Sequence, residues 1–345
     1  MPKRRRVDDG PAASEQPEGA PVSPLKRSEE VWFDDGNIVL QAGDKQFKVH
    51  RGVLAKHSPI FSDLFQIPHP HDEPTVDGCP IVELHDSPED VEHVLKALYG
   101  LGDYLNSDLN LHISVVAAMI RLGRKYEIPH LSAESMRLLK REYPTTLEEN
   151  DELDHHSYHN IRVTMPDRTR GPSDADETED ETEDDTDNFA VILGIVKLAH
   201  ECHIQSILPA LYLQLTRFPL EDILRPDTQL PLDVLWSCIC GRDKLLNVWR
   251  DRTHAMGRSE KCFSKADCKM SIMSLLEDLK LPDADLASIL QPWDTFAEVW
   301  DDSLQSLCEE CTQEAKELHE KDREATWTSL PELFKLSSWD NLKNV

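Results

Sequence analysis

Apolar residues recur along the chain at intervals that change from two to between three and four, and each interval predicts an element. Ile38, Leu40 and Ala42, then Phe47 and Val49, alternate with polar positions on either side of Gly43-Asp44-Lys45. That period belongs to strands, and the short polar break predicts a hairpin. A short helix follows around Leu54, and Ser58-Pro59 supplies a hydroxyl N-cap and a first-turn proline for a second helix. Ile60, Phe61, Leu64 and Phe65 are expected along one side of it. Pro68, Pro70, Pro74 and Pro80 mark a loop, after which Val82 and Leu84 alternate as a third strand. Ser87-Pro88-Glu89-Asp90 repeats the cap signature with an acid in the first turn, and Val91, Val94, Leu95 and Leu98 then recur as one apolar stripe. Two further helices are predicted over 111–126 and 131–143, divided by Ile128-Pro129.

The pattern fails in two places. Residues 1–29 are rich in Pro, Glu and charge and carry no apolar period until Val31, which predicts a disordered basic, Pro-rich tail. After Pro144 the period is lost again, and ten of the residues from Asp174 to Asp187 are acidic while none is basic. Such a run repels itself, so 144–188 is expected to be a disordered acidic linker. From 189 to 345 the chain reads helical, with breaks near Pro219, Pro226, Gly257 and Pro282. One internal echo runs across these boundaries. Leu122-Gly-Arg-Lys-Tyr-Glu-Ile128 with Leu131 and Leu139 lines up with Leu198-Ala-His-Glu-Cys-His-Ile204 with Ile207 and Leu215 at an offset of 76 residues. It is either a recurring helix–turn–helix unit or two amphipathic hairpins alike by chance.

Charge narrows the function classes. The 345 residues carry 37 Lys plus Arg against 65 Asp plus Glu, a formal net charge of −28, which opposes direct binding to a nucleic-acid backbone. Runs such as Val115–Ile120 are far shorter than the ~18 residues a membrane span needs. The amino terminus has charge but no apolar segment behind it, so it is not a secretory signal, and the eight cysteines are expected in a reducing compartment. Lys3-Arg4-Arg5-Arg6 is the one dense cationic run and has the chemistry of a nuclear-import signal.

The stretch from Asn37 through Phe47, Val49, His50, Arg51, Leu54, Ser58 and Phe61 to Leu64-Phe65 resembles the opening of the BTB/POZ family, in which a strand hairpin, F-x-V-H-R, a leucine and S-x-x-F follow in this order. The resemblance covers 30–143, and the wording around Asp35-Gly36-Asn37 and Asp77-Gly78-Cys79-Pro80 is most similar to the large fungal branch. It implies an α+β domain, a short sheet flanked by helical hairpins, followed here by an all-α C-terminal domain. It also implies binding to other proteins and to itself as a homodimer, with Val31-Trp32-Phe33 placed to supply the amino-terminal strand of such an interface. The family usually has aspartate where this chain has Asn37, so the charged pocket shared in many members with the residue matching Arg51 is not expected. His50 reads as a buried, hydrogen-bonded core residue rather than a catalytic one.

Chemistry-bearing residues outside that domain are few. Cys262-x5-Cys268 and Cys308-x2-Cys311 offer four thiolates, the number a tetrahedral zinc site takes. The first spacing is loose, however, and the second pair lies along the stripe Trp293, Phe296, Trp300, Leu304 and Leu307, so buried cysteines without metal are the expectation. His200-Glu201-Cys202-His203 has its histidines at i and i+3, not the i and i+4 of a zinc-protease helix, and His155, His156 and His159 read as surface residues. No phosphate-cradling loop, dinucleotide fingerprint or nucleophile elbow is present. The six tryptophans from Trp236 to Trp339 are expected in the core, and Leu330–Trp339 as a strap over it. The sequence thus predicts a non-enzymatic interaction and self-association protein, a scaffold or nuclear regulator acting through partners, with no cofactor and no contact to nucleic acid or membrane. A cullin-type ubiquitin ligase adaptor is the alternative and a zinc-dependent enzyme an outsider. The adaptor ranks lower because only Pro70, His71 and Thr75 stand two before an acid in the 66–78 loop, and none is a strong apolar anchor.

Overall fold

The computed structural model describes residues 25–67, 74–101, 111–153, 161–162, 181–256, 259–278, 286–299, 304 and 306–344. Lys3–Arg6, His155, His156, His159, Trp300 and the first half of the acidic run lie outside these residues. The chain divides into two compact units, one of residues 1–51 and 69–88, the other of 52–68 and 89–345.

The first unit is a five-stranded sheet. Its strands are β1 (Lys26–Trp32), β2 (Ile38–Ala42), β3 (Lys45–Val49), β4 (Thr75–Val76) and β5 (Cys79–Leu84), in the order β1-β3-β2-β5-β4. β2 and β3 form the expected antiparallel hairpin, with Leu40 opposite Phe47. Its two-residue turn carries Gly43 at φ 53°, a positive value at the first loop position that suits glycine in a hairpin turn. The proline-marked loop ends in structure that the prolines hid: Asp77 and Gly78, at φ 47° and 76°, turn β4 back on β5. Aspartate-glycine between short strands is a hairpin signal in its own right.

β1 starts inside the stretch expected to be tail. The Lys26 N–H donates to the Asp44 carbonyl at 2.8 Å, Val31 N–H donates to Ser28 Oγ at 3.1 Å, and Arg27 lies over the Trp32 ring while reaching Asp77 at 3.0 Å. Backbone pairing and local contacts hold this segment, so its composition was a poor guide.

Among the described residues the second unit is helical, with one two-stranded pairing and an isolated bridge between Ile204 and Asn344. Its helices are α1 (Arg51–His57, whose first residue still belongs to the sheet unit), α2 (Pro59–Leu64), α3 (Pro88–Tyr99, likewise entered from the sheet unit), α4 (Ile113–Lys125), α5 (Pro129–Glu142), α6 (Leu147–Asp151), α7 (Glu181–Glu201), α8 (Leu208–Leu215), α9 (Leu220–Ile223), α10 (Leu232–Ala255), α11 (Lys265–Asp278), α12 (Trp293–Val299) and α13 (Glu309–Leu333). Ser58 caps α2 as expected, accepting from Phe61 N–H, but only Phe61 of the predicted stripe is fully inside, and Ile60 faces out. Phe61 stacks on Tyr126 with ring centroids 4.6 Å apart, and Ser58 Oγ donates to the Tyr126 carbonyl at 2.5 Å.

The stretch 144–188 is not a uniform unstructured linker. Thr146 and Glu149 close a capping box on α6, Asp151 of that helix takes the buried Arg323 in a bidentate grip, and Ile161-Arg162 pairs in parallel with Leu111-His112. The last acidic residues belong to α7, which begins at Glu181. The buried Val191, Ile192, Ile195 and Val196 anchor that helix.

Nor is there a boundary in the core at residue 189. One buried cluster runs from Leu111, Val116, Ile120 and Tyr143 through α7 and α8 to Trp249, Trp327 and Phe334. Leu330 and Phe334 are fully buried, so the end of α13 does lie against the core. Trp236 departs from the expected tryptophan core: it is 61% exposed, one turn from the exposed Leu232. No helix among the described residues is long and apolar enough to cross a membrane.

Candidate functional site

The BTB/POZ signature residues separate into a buried set and an exposed set. Phe47, Leu54, Ser58 and Phe61 are all buried, so their role is to hold the fold. Asn37 is exposed and its Oδ1 accepts from the Arg51 backbone N–H at 2.8 Å, capping the start of α1 from a neighbouring strand. A neutral amide satisfies that donor as well as a carboxylate would. His50 is not a core residue: its side chain is 26% exposed, with Nε2 3.1 Å from Asp35 and its ring 5.4 Å from that of Phe33.

Val31-Trp32-Phe33 lies where β1 ends. Val31 is fully buried within its own chain, and β1 pairs in parallel with β3 of the same chain. β1 is also an edge strand, with no strand on its outer side among the described residues. Its exposed positions are Lys26, Arg27, Glu29 and Glu30, the charged dressing that keeps an open edge from pairing indiscriminately.

The four cysteines separated in sequence come together. Cys262 sits in the loop between α10 and α11, Cys268 in the first turn of α11, Cys308 at the N-cap of α13 and Cys311 in its first turn. Their four Sγ atoms all lie within 4.8 Å of one another, with Cys262 and Cys308 3.8 Å apart. All four residues are buried, all are free thiols, and together with the half-buried Leu307 they make a cluster of their own.

Local chemistry supports that convergence. Ser264 starts α11, with its carbonyl accepting from Cys268 N–H at 3.0 Å, and Ser259 Oγ donates to Glu314 of α13 at 2.7 Å, tying the loop to the helix. The Cys308 N–H donates to Cys268 Sγ at 3.2 Å. The Cys311 backbone amide favours the thiolate of Cys308 and lowers it to about 7, while burial pushes the Cys268 and Cys311 thiols up. Sequence spacing undervalued this cluster because the loop geometry that compensates for five intervening residues is a tertiary feature. His200 instead serves structure, 2.7 Å from the Tyr212 hydroxyl, and burial lowers its pKa.

Residues 28–143 match the family model of the BTB/POZ domain. The chain therefore carries a BTB/POZ domain, a sheet-and-helix module of a class that serves protein–protein interaction, followed by a helical carboxyl-terminal region. Neither a search of curated proteins nor one of solved structures returned a match.

Proposed function

We propose that this protein is a non-enzymatic scaffold that self-associates through its BTB/POZ domain and acts in the nucleus through protein partners. The match over residues 28–143 carries this reading. The open edge of β1, dressed with charge, offers a surface that is selective rather than sticky. The net charge of −28 supports partners that are proteins rather than nucleic acid, and Lys3–Arg6 supports nuclear import. Light scattering of the full chain at tens of micromolar is expected to give a dimer; a monomer across that range removes self-association. A fluorescent fusion is expected in nuclei, and Arg4, Arg5 and Arg6 changed together to Ala should spread it to the cytoplasm. Exclusion of the unaltered fusion from nuclei would remove the nuclear part of the reading. Stoichiometric recovery of a cullin from cells would replace the scaffold by a ligase adaptor.

A further inference from the structure

We propose that Cys262, Cys268, Cys308 and Cys311 hold one structural Zn²⁺ that clamps the starts of α11 and α13 to the loop after α10. Four thiolates at ~2.3 Å from a tetrahedral zinc stand about 3.8 Å from one another. The Cys262–Cys308 pair is at 3.8 Å and the whole set within 4.8 Å, so small side-chain adjustments close the tetrahedron. A disulfide requires a much shorter separation of ~2.05 Å, and a single one would leave two sulfurs of the cluster over.

A second observation is independent of those distances. The cluster is separate from the main core and contains no apolar side chain other than Leu307 at its margin. Sulfur rather than aliphatic packing is thus what the first turns of α11 and α13 and the loop after α10 offer one another for fixation, while Ile272 and Leu275 tie α11 to the main core further along. A metal crosslink between residues 40 and 46 positions apart supplies that fixation by closing long loops. The N–H of Cys308 on Cys268 Sγ is the kind of outer contact that orients a thiolate ligand, and both helices present their positive ends to the sulfurs. A set of four sulfurs with no oxygen or imidazole selects zinc or iron over hard cations. Four protein ligands also fill the tetrahedron, leaving no position for a reacting water, so the site is structural and not that of a zinc hydrolase.

Elemental analysis of the full chain, purified without a histidine tag or added metal, should find about one zinc per chain. Cys308→Ser combined with Cys311→Ser should lose it, and Cys79→Ser, which removes a buried thiol elsewhere, should keep it. Replacing the metal by cobalt should give the visible absorption of a tetrahedral tetrathiolate ion, and chelation should lower the melting temperature. If the double variant does not fold, metal content and the cobalt spectrum of the unaltered protein decide alone. A cooperatively folded protein with no stoichiometric zinc, with iron in its place, or with a Cys262–Cys308 disulfide by peptide mapping would overturn the proposal.

Discussion

His319 shows how one buried side chain writes a pH dependence into the fold. It is fully buried against Phe296 and Trp293, with Nε2 2.9 Å from the Gln291 carbonyl and Nδ1 3.2 Å from Nη1 of the buried Arg252. A carbonyl can only accept and a guanidinium only donate, so the ring is neutral, with its proton on Nε2. Burial above all lowers its pKa to about 4 from an ordinary 6.5. Between these values the unfolded chain binds a proton that the native chain does not, so stability is full above pH ~6.5 and falls as pH drops toward ~4, by roughly 3 kcal/mol in all. His319→Gln, which can make both bonds, should flatten that part of a pH–stability profile measured by urea unfolding; an unchanged slope would assign it to other groups. A second residue-scale feature lies at the helix ends. Glu127 and His203 sit at φ 50° and 52°, left-handed values that favour glycine. Glu127→Gly should therefore raise stability by about 0.5–1 kcal/mol, the relief of strain exceeding the entropy glycine costs. A lower melting temperature for this variant would show that the side chain itself is needed.

Those two residues also mark the echo seen in the sequence. Ile128 N–H donates to the Gly123 carbonyl at 2.7 Å, and Ile204 N–H to that of Ala199 at 2.8 Å, so α4 and α7 end in the same cap 76 residues apart. Ile128, Ile204, Leu131 and Ile207 are all fully buried beyond it, and Arg121 of α4 grips Glu201 of α7 with two bonds of 2.7 Å. The two hairpins thus share one cap geometry, although the helices that follow differ, 14 residues in α5 and 8 in α8. Elements of this kind were legible because caps and apolar periods are local: the β2–β3 hairpin, the Ser58 cap and the helices up to residue 143 could all be read. What could not be read depends on partners distant in the chain, as with β1 and the four-cysteine cluster, whereas the Thr146-x-x-Glu149 box of α6 was a local signal that the sequence reading passed over. Gly241 belongs to that second group. In the middle of α10 it looks like a weak point, yet a Cβ there would lie 2.1 Å from the Phe334 ring at the end of α13. Alanine normally favours a helix interior by ~1 kcal/mol over glycine, but forcing this contact should cost 1–3 kcal/mol or more. Gly241→Ala is expected to lower the melting temperature and Phe334→Leu to restore part of the loss in the double variant; independent, additive effects would contradict the close approach.

At the scale of the molecule, the BTB/POZ match and the buried core do not share a boundary. The match stops at residue 143, whereas Val116, Ala117, Ile120, Leu139 and Tyr143 join one core with α7, α8 and the later helices. Cutting the chain at 143 would uncover side chains that are now almost wholly out of water, and burial of one such residue stabilises by ~1.5–3 kcal/mol. Such a fragment would expose an apolar face larger than a soluble monomer tolerates. Residues 28–143 expressed alone should therefore bind a hydrophobic dye, aggregate or melt without cooperativity, whereas 28–223, which retains α7 to α9, should behave better because α4 keeps the helix it packs against. This has a consequence for measuring self-association: oligomers of the short fragment would report its uncovered core, and only those of the full chain would report the interaction surface. A 28–143 fragment that melts cooperatively at the temperature of the full chain, with no dye binding, would show that the domain closes its own core and that the shared cluster adds nothing to its stability.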